Sequence, residues 1–333
     1  MAVKTKSPQP LLTLDGVKKY YPIKGGILKR TQGYVKAVEH VSLEVQKGES
    51  IGIVGESGCG KSTLGRTILG LEGITEGKVF YEGKEIQSLS DRQRKAFKKE
   101  MQMIFQDPYA SLNPRQRVGD ALEEVFIIHT KLTKQERQER VFSLLEEVGL
   151  KREHAVRYPH EFSGGQRQRI GIARAIALNP SFIVCDEAVS ALDVSVQAQV
   201  MKLLKDIQKK HDLTYLFIAH DLGVVKHFCD RVLVMYLGHT AELATSQDLY
   251  KEPLHPYTKA LLSAIPRPRP GQKRERIRLE GDIPNPADPP TGCPFHTRCP
   301  IATEQCRQEK PVFREARPGH FVACHEVEES LTL

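Results

Sequence analysis

Long apolar segments are missing from this sequence, and so is a secretory signal. No apolar run in the 333 residues is as long as a membrane-spanning helix, which needs about eighteen apolar residues. The N-terminal stretch MAVKTKSPQPLLTLDG has neither an uninterrupted apolar core nor a small-residue cleavage site, so we expect the chain to stay in the cytosol. These absences exclude the membrane-spanning and secreted classes, and they predict thiols that are reduced or bound to metal.

The basic clusters lack the interleaved aromatic residues that stack on nucleobases. The formal net charge is +8, and its densest clusters are RQRKAFKK at 92–99 and RPRPGQKRERIR at 267–278. A cluster of cations without such aromatics is typical of a solvated protein face. We therefore predict no nucleic-acid partner.

Internal repeats and low-complexity tracts are also absent, and the amino-acid composition changes abruptly only near residue 265. Before it, β-branched runs such as SIGIVG, MQMIFQ and SFIVCDE alternate with helical patterns such as VQAQVMKLLKDIQKKH. This alternation predicts an α/β fold, with helices packed on a sheet. After it, seven prolines between Pro266 and Pro290 predict an extended linker at 266–290, followed by a cysteine-rich end at 291–333.

The stretch GESGCGKST, residues 55–63, is typical of a phosphate-binding loop. It follows the strand-like SIGIV and precedes the helix-like TLGRTILGL. Its three glycines let successive backbone N–H groups point at phosphate oxygens, next to a helix N-terminus. Lys61 supplies positive charge to the same oxygens, and the Ser62 hydroxyl is a ligand for Mg²⁺. The loop predicts a nucleoside triphosphatase.

Three further stretches carry groups that this chemistry needs. SFIVCDE, residues 181–187, is an apolar strand that ends in two acids: Asp186 can hold a Mg²⁺-bound water, and Glu187 can polarise the attacking water. FSGGQRQR, residues 162–169, places a serine and two glycines at a helix start, which is a second anion site. IAHD ends another strand with His220 in position to contact a γ-phosphate.

Together these motifs resemble the nucleotide-binding subunits of ATP-binding cassette (ABC) transporters, over roughly residues 10–265. The resemblance implies one ATPase domain at 1–265, with a P-loop core, an antiparallel β subdomain and a helical subdomain at about 107–165. In that family the phosphate loop and the SGGQ signature face opposite partners, so that two subunits dimerise head to tail on ATP. Such phosphoryl transfer depends on positioning and charge neutralisation more than on covalent help.

The resemblance also implies roles for single residues. Tyr21 stacks on adenine, although Tyr20 adjoins it, and the loop SALD crosses to the partner. The catalytic set is Lys61, Gln106, Glu187 and His220. The magnesium contacts are Ser62, Gln106 and Asp186. The nucleotide contacts are Tyr21, Gly55, Ser57, Gly58, Cys59, Gly60, Lys61, Ser62, Thr63, Gln106, Asp186, Asp193 and, in the signature, Ser163, Gly164, Gly165 and Gln166.

Longer stretches, such as RYPHEFSGGQRQRIGIARA and LHPYTKALLSAIP, resemble the ATPases of oligopeptide and dipeptide importers. That family implies two integral permease subunits, a second homologous ATPase, an extracytoplasmic binding protein and a location on the cytoplasmic face of the membrane. Ala188 replaces a frequent proline and also occurs in related nickel importers, which keeps a nickel or metal-chelate importer as an alternative. Soluble ABC ATPases carry the same catalytic set and are the other alternative.

Cys293, Cys299, Cys306 and Cys324 stand in the pattern C-x5-C-x6-C-x17-C. The other three cysteines have ordinary positions, in the loop, on a strand and in a helix: Cys59, Cys185 and Cys229. A small tail has little core of its own and gains stability from a metal. Four thiolates suit zinc or an iron–sulfur cluster, the short zinc knuckle is absent, and unlinked thiols are a third possibility.

The C-terminal extension, DIPNPADPPTGCPFHTRCP, also resembles that of the peptide-importer ATPases. Similar extensions in that family hold a 4Fe–4S cluster, so the resemblance implies one on the four cysteines here, with zinc as the alternative. Its role would be structural or redox-sensing, because the cassette already contains the groups that hydrolysis needs.

Overall fold

The computed structural model describes residues 9–25, 30–107, 112–265 and 276–327. Residues 266–275, which are the first part of the predicted linker, and the first eight residues lie outside this range. The β-strands within it are β1 Leu12–Gly25, β2 Arg30–Val45, β3 Ser50–Val54, β4 Glu76–Tyr81, β5 Lys84–Glu85, β6 Met101–Ile104, β7 Phe182–Asp186, β8 Thr214–Ala219, β9 Arg231–Tyr236, β10 His239–Thr245, β11 Arg314–Arg317 and β12 His320–Val322.

The described ranges also contain α-helices, which lie between these strands in the sequence. They are α1 Lys61–Ile68, α2 Asp91–Glu100, α3 Val118–His129, α4 Lys134–Glu147, α5 Gly164–Ile176, α6 Val194–His211, α7 Leu222–Phe228, α8 Ser246–Lys251, α9 Pro256–Ser263 and α10 Glu304–Gln308. Short 3-10 helices cover Ile86–Ser88, Arg152–Val156, Pro159–Glu161 and His296–Arg298. None of the helices among these residues has the length and apolar character that a bilayer crossing demands.

The chain divides into two compact units. Unit one comprises Met1–Gln46, Ser50–Ser88 and Ala219–Leu333, and unit two comprises Lys47–Glu49 and Leu89–Ile218. The predicted domain boundaries near residues 265 and 290 stay a prediction, because the division follows contacts and not composition.

Unit one holds two groups of paired strands. The first is antiparallel, in the order β2-β1-β4-β5, and the second runs β11-β12-β10-β9-β3. β3 pairs with β9 in parallel and all five of its residues are buried, which accounts for its uninterrupted apolar sequence SIGIV. The helix predicted over TLGRTILGL begins at Lys61, because Gly60 caps it in a left-handed conformation.

Unit two combines parallel strands with helices. β7 pairs in parallel with β6 on one side and β8 on the other. The residues of β7 are all buried, so this strand is apolar up to the acid at its end. α3 and α4 fall within the predicted helical subdomain. The predicted α/β class is confirmed.

The C-terminal segment, residues 276–327, belongs to unit one. β12 pairs with β10 through Glu242 with Val322 and Leu243 with Phe321. Val322 and Cys324 are buried with Leu254 in a small apolar cluster. The cysteine-rich end therefore packs on the same unit as the phosphate loop.

Candidate functional site

The phosphate loop lies in unit one, between β3 and α1. Its backbone is left-handed at Gly58, with φ of 77°, and at Gly60, with φ of 100°. A Cβ atom added to Gly60 would lie 1.9 Å from the carbonyl oxygen of Ala37, so the loop can pass this strand only as glycine. Ser57 and Gly58 are exposed at the crest of the loop. The loop thus presents backbone N–H groups to solvent ahead of a helix N-terminus.

Lys61 is held inside the loop that it follows. Its side chain is buried, and Nζ donates hydrogen bonds to the carbonyl oxygens of Gly55 and Glu56, each at 2.9 Å. Cys59 is also buried, and burial raises the pKa of its thiol, so that it stays protonated at neutral pH. The loop therefore carries a fixed cation and no nucleophilic thiolate.

Tyr20 and Tyr21 have different partners on β1. The hydroxyl of Tyr21 donates to Glu72 Oε2 at 2.7 Å, and the ammonium of Lys19 lies 4.7 Å from the centre of its ring. The hydroxyl of Tyr20 instead donates to Glu39 Oε2 at 2.6 Å. Burial, and then the hydrogen bond to a carboxylate, raise the pKa of both Tyr20 and Tyr21, so both phenols are neutral at neutral pH. The adenine-stacking role of Tyr21 stays a prediction.

The two predicted acids lie at the end of β7, in unit two. Asp186 is 2% exposed, and Glu187 follows it with φ of 47°, a left-handed conformation that is uncommon for a residue other than glycine. The N–H of Glu187 donates to the carbonyl oxygen of Ile218 at 3.0 Å, and Gln106 Nε2 donates to Glu187 Oε2 at 2.7 Å. The structure thus brings together two members of the predicted catalytic set. Backbone strain at such a position is typical of functional sites.

The SGGQ signature forms the start of α5. Ser163 is exposed and caps the helix by accepting a hydrogen bond from the N–H of Gln166 at 3.3 Å, while the Gln166 side chain accepts from the N–H of Ser163 at 3.0 Å. A Cβ atom on Gly165 would lie 2.4 Å from Val196, so glycine is needed where α5 approaches α6. The signature is a capped and exposed helix N-terminus, as predicted, and its role as an anion site stays a prediction.

Asp193 and His220 also lie at the ends of elements. Asp193 caps α6 by accepting from the N–H of Val196 at 3.0 Å, and its hydrogen bonds, first that from Ser195, lower its pKa. His220 follows β8 and is exposed, in unit one. Both side chains are accessible to a ligand.

The four C-terminal cysteines have free thiols, and each is buried or half-buried. The N–H of Cys293 donates to the carbonyl oxygen of Cys306 at 2.8 Å. Burial, and then Cys306, Cys324 and Cys299, raise the pKa of Cys293 to about 11. Within the described ranges, no group of three or more histidine, cysteine or acidic side chains is arranged as a preformed metal site.

Sequence reasoning missed one partner of the phosphate loop. Arg298, between the first two of these cysteines, forms an ion pair with Glu56, the second residue of the loop. The two residues are 242 positions apart, and no local pattern signals such a contact.

The fold and these motifs define an ATP-binding cassette ATPase. The family model described as ABC transporter matches residues 38–190, and the model described as oligopeptide/dipeptide transporter, C-terminal region, matches residues 241–306. A solved structure, the ATP-binding cassette MJ0796 as a post-hydrolysis dimer bound to ADP and Pi, is 28% identical. It superposes with a TM-score of 0.63, over 71% of this chain and 98% of that chain.

Curated relatives narrow the family. The oligopeptide transport ATP-binding protein AppF of Bacillus subtilis is 56% identical over 320 residues, which are 95% of this chain and 97% of that protein. The dipeptide transport ATP-binding protein DppF of Haemophilus influenzae is 49% identical over 328 residues, 98% of this chain and 100% of that protein. The chain therefore belongs to the family of ABC transporter ATPases that includes these two proteins, and the predicted resemblance is confirmed.

Proposed function

We propose that this chain hydrolyses ATP to power the import of oligopeptides or dipeptides through an ABC transporter. The observation that carries the proposal is the set of nucleotide-handling residues in a chain 56% identical to a protein named for oligopeptide transport. The match extends over the C-terminal region, for which a separate family model is described as oligopeptide/dipeptide transporter. A generic ABC ATPase would not need that region.

The proposed roles follow from the chemistry of each group. The loop amides and Lys61 neutralise the β- and γ-phosphates, and His220 contacts the γ-phosphate. Glu187 polarises the attacking water, and its hydrogen bond from Gln106 keeps the carboxylate oriented. Tyr21 stacks on adenine, and the SGGQ signature with Asp193 faces the nucleotide of a partner subunit.

Hard oxygen and amide groups are available for magnesium. Ser62 offers a hydroxyl, Asp186 a carboxylate and Gln106 a side-chain amide oxygen, which are ligand types that Mg²⁺ accepts. When bound with the nucleotide, Mg²⁺ neutralises charge that develops on the phosphates. Asp186 is 2% exposed, so its carboxylate is held in one place before the ion arrives.

The proposed assembly contains two integral permease subunits, a second homologous ATPase and an extracytoplasmic substrate-binding protein. This chain binds the cytoplasmic face of the membrane through the permeases and has no nucleic-acid partner. ATP closes the pair of ATPase subunits head to tail, and hydrolysis reopens it. Substrate selection belongs to the binding protein.

The experiment is ATP-driven uptake by the complex, co-expressed with its own permeases and binding protein and reconstituted in vesicles. Glu187→Gln should keep ATP affinity within a few-fold and lower hydrolysis and peptide uptake by about a hundredfold or more. Glu139→Gln is the matched control, since Glu139 is an exposed helical acid paired with Arg152. Wild-type turnover in Glu187→Gln would refute the catalytic assignment.

Two other outcomes would change the function. Uptake of a nickel chelate without uptake of any labelled di-, tri- or pentapeptide would make the complex a metal importer. A chain that stays in the soluble fraction whether or not the permeases are present would be a soluble ABC ATPase.

We also propose that Cys293, Cys299, Cys306 and Cys324 hold a 4Fe–4S cluster, as in the extensions that this one resembles. The donor type fits, because all four are free thiols that are buried or half-buried, but in the described residues they are not arranged as a preformed metal site. Such a cluster would be a structural or redox-sensing group and would take no part in hydrolysis.

Anaerobic purification tests this proposal. The protein should be brown, with about four iron per chain, and Cys306→Ser should lower the iron content, whereas Cys229→Ser, a buried cysteine elsewhere in unit one, should not. Colourless protein with stoichiometric zinc, or unchanged iron in Cys306→Ser, would contradict it.

A further inference from the structure

The cysteine-rich segment contacts the phosphate loop through one side chain. Arg298 ends the 3-10 helix His296–Arg298. Its Nη1 donates to Glu56 Oε2 at 2.7 Å and its Nη2 donates to Glu56 Oε1 at 3.1 Å. The side chains are 8% and 25% exposed, so this paired hydrogen bond is largely shielded from water. Such a fork-to-fork arrangement is the strongest and most directional type of ion pair in proteins.

Aromatic residues hold the guanidinium in place. Its Cζ lies 5.9 Å from the centre of the Tyr236 ring, within range of a cation–π contact. Phe295 packs edge-on against Tyr236 at 5.1 Å and contacts Tyr257 at 5.4 Å, and all three rings are buried. The guanidinium is therefore held by this aromatic cluster as well as by Glu56.

Glu56 is held on three sides. Its N–H donates to the Tyr257 hydroxyl at 2.9 Å, its carbonyl oxygen accepts from Lys61 Nζ at 2.9 Å, and its carboxylate accepts from Arg298. The same residue therefore joins the C-terminal segment to the lysine that serves the phosphates. Movement of Arg298 would therefore shift Glu56 and, through it, Lys61.

We propose that Arg298 is a positioning residue for the phosphate loop and that the C-terminal segment thereby sets the affinity for ATP. This inference rests on ATP binding by the loop. Without Arg298, the Glu56 carboxylate would be an uncompensated negative charge in the phosphate loop, which disfavours binding of the anionic nucleotide. Glu56 would also lose one of the three contacts that hold it. Both effects act on the phosphate loop and leave Glu187 and Gln106 untouched, so KM should rise while kcat at saturating ATP stays nearly constant.

Equilibrium binding of MgATP to the full-length chain tests the proposal. Arg298→Gln should raise Kd at least about tenfold, equivalent to about 1.4 kcal/mol. Arg317→Gln is the matched control: Arg317 lies in the same segment and pairs with Glu252 through two contacts of 2.8 and 2.7 Å, but at the surface. Its Kd should stay within about twofold of the wild type. An unchanged Kd in folded Arg298→Gln would overturn the proposal.

A double-mutant cycle separates this role from general support of the fold. In the Glu56→Gln background, Arg298→Gln should change Kd by less than about threefold, because the pair is already broken. A full tenfold change in that background would overturn the proposal. Arg298→Lys keeps the positive charge and loses the paired hydrogen bonds, so its Kd for MgATP should lie between those of the wild type and Arg298→Gln. This variant decides the matter if Arg298→Gln does not fold, since a wild-type Kd in it would equally count against the pairing. Failure of the wild-type chain to bind ATP would instead refute the proposed function.

Discussion

Replacing Glu242 with glutamine tests how the C-terminal segment is attached to unit one. Glu242 lies on β10 and is fully buried. Its Oε1 accepts from the N–H of Leu254 at 2.8 Å and from His320 Nε2 at 2.6 Å, and its Oε2 accepts from the N–H of His255 at 3.0 Å. One carboxylate thus joins β10, the approach to α9 and β12.

The cost of the change follows from these donors. An amide has one acceptor oxygen, so in either orientation its NH₂ group faces at least one N–H group. A buried donor without an acceptor costs about 1–3 kcal/mol, and a hydrogen bond to a charged group contributes about 1.5–3 kcal/mol. We expect Glu242→Gln to lower the free energy of unfolding by about 3 kcal/mol. At about 2–4 °C per kcal/mol, the melting temperature should fall by about 6–12 °C.

Urea and thermal unfolding followed by circular dichroism measure this loss. Glu252→Gln is the control, because Glu252 also pairs with a C-terminal residue, Arg317, but with 60% of its side chain exposed. Its loss should be much smaller than that of Glu242→Gln, because a solvent-exposed ion pair contributes little to stability. The reasoning is refuted if Glu242→Gln stays within about 1 kcal/mol of the wild type, or if both variants lose the same amount.

The pH dependence of stability tests independently whether the ionised Glu242 carboxylate stabilises the fold. Burial acts to raise the pKa of Glu242, but the hydrogen bonds from His320 and from the backbone of Leu254 and His255 outweigh it and hold the pKa below its ordinary value of 4.5. A lowered folded-state pKa contributes stability above the unfolded-state pKa, and this contribution is lost as the pH falls through the folded-state value. The difference in free energy of unfolding between the wild type and Glu242→Gln should therefore become smaller as the pH falls through the folded-state pKa. A constant gap from pH 7 downwards would contradict the assignment.

Two further predictions concern the nucleotide motifs. Ser163→Arg should lower ATP turnover of the assembled transporter at least about tenfold and leave the Kd of the isolated chain within about twofold, whereas Thr133→Arg, which removes the cap of α4, should affect only stability. A large loss of affinity in the isolated Ser163→Arg chain would mean that the signature acts on its own nucleotide. Gly60→Ala, with its Cβ 1.9 Å from Ala37, should raise Kd for ATP more than about tenfold. Gly73→Ala meets no atom within 4 Å and should bind like the wild type; equal affinities in both alanine variants would disprove the steric account.

Local patterns in the sequence were sufficient for the motifs and the α/β class. The phosphate loop is recognisable because left-handed backbone at Gly58 and Gly60 demands glycine, and β3 and β7 are recognisable because strands buried on both faces are uninterrupted apolar runs. The signature, with its serine and two glycines, was predicted as a helix start, and in the structure Ser163 and Gln166 form a capping box there. Each of these signals depends on residues within a few positions of one another.

Contacts between distant residues were decided only by the tertiary structure. Tyr20 and Tyr21 are adjacent and chemically identical, yet one donates to Glu39 and the other to Glu72. The C-terminal segment reads as a separate tail, but β12 pairs with β10 and Arg298 reaches Glu56 across 242 positions. Such pairings depend on the path of the whole chain, because two distant charges become partners only when the fold buries them side by side. A local sequence pattern contains no information about that path.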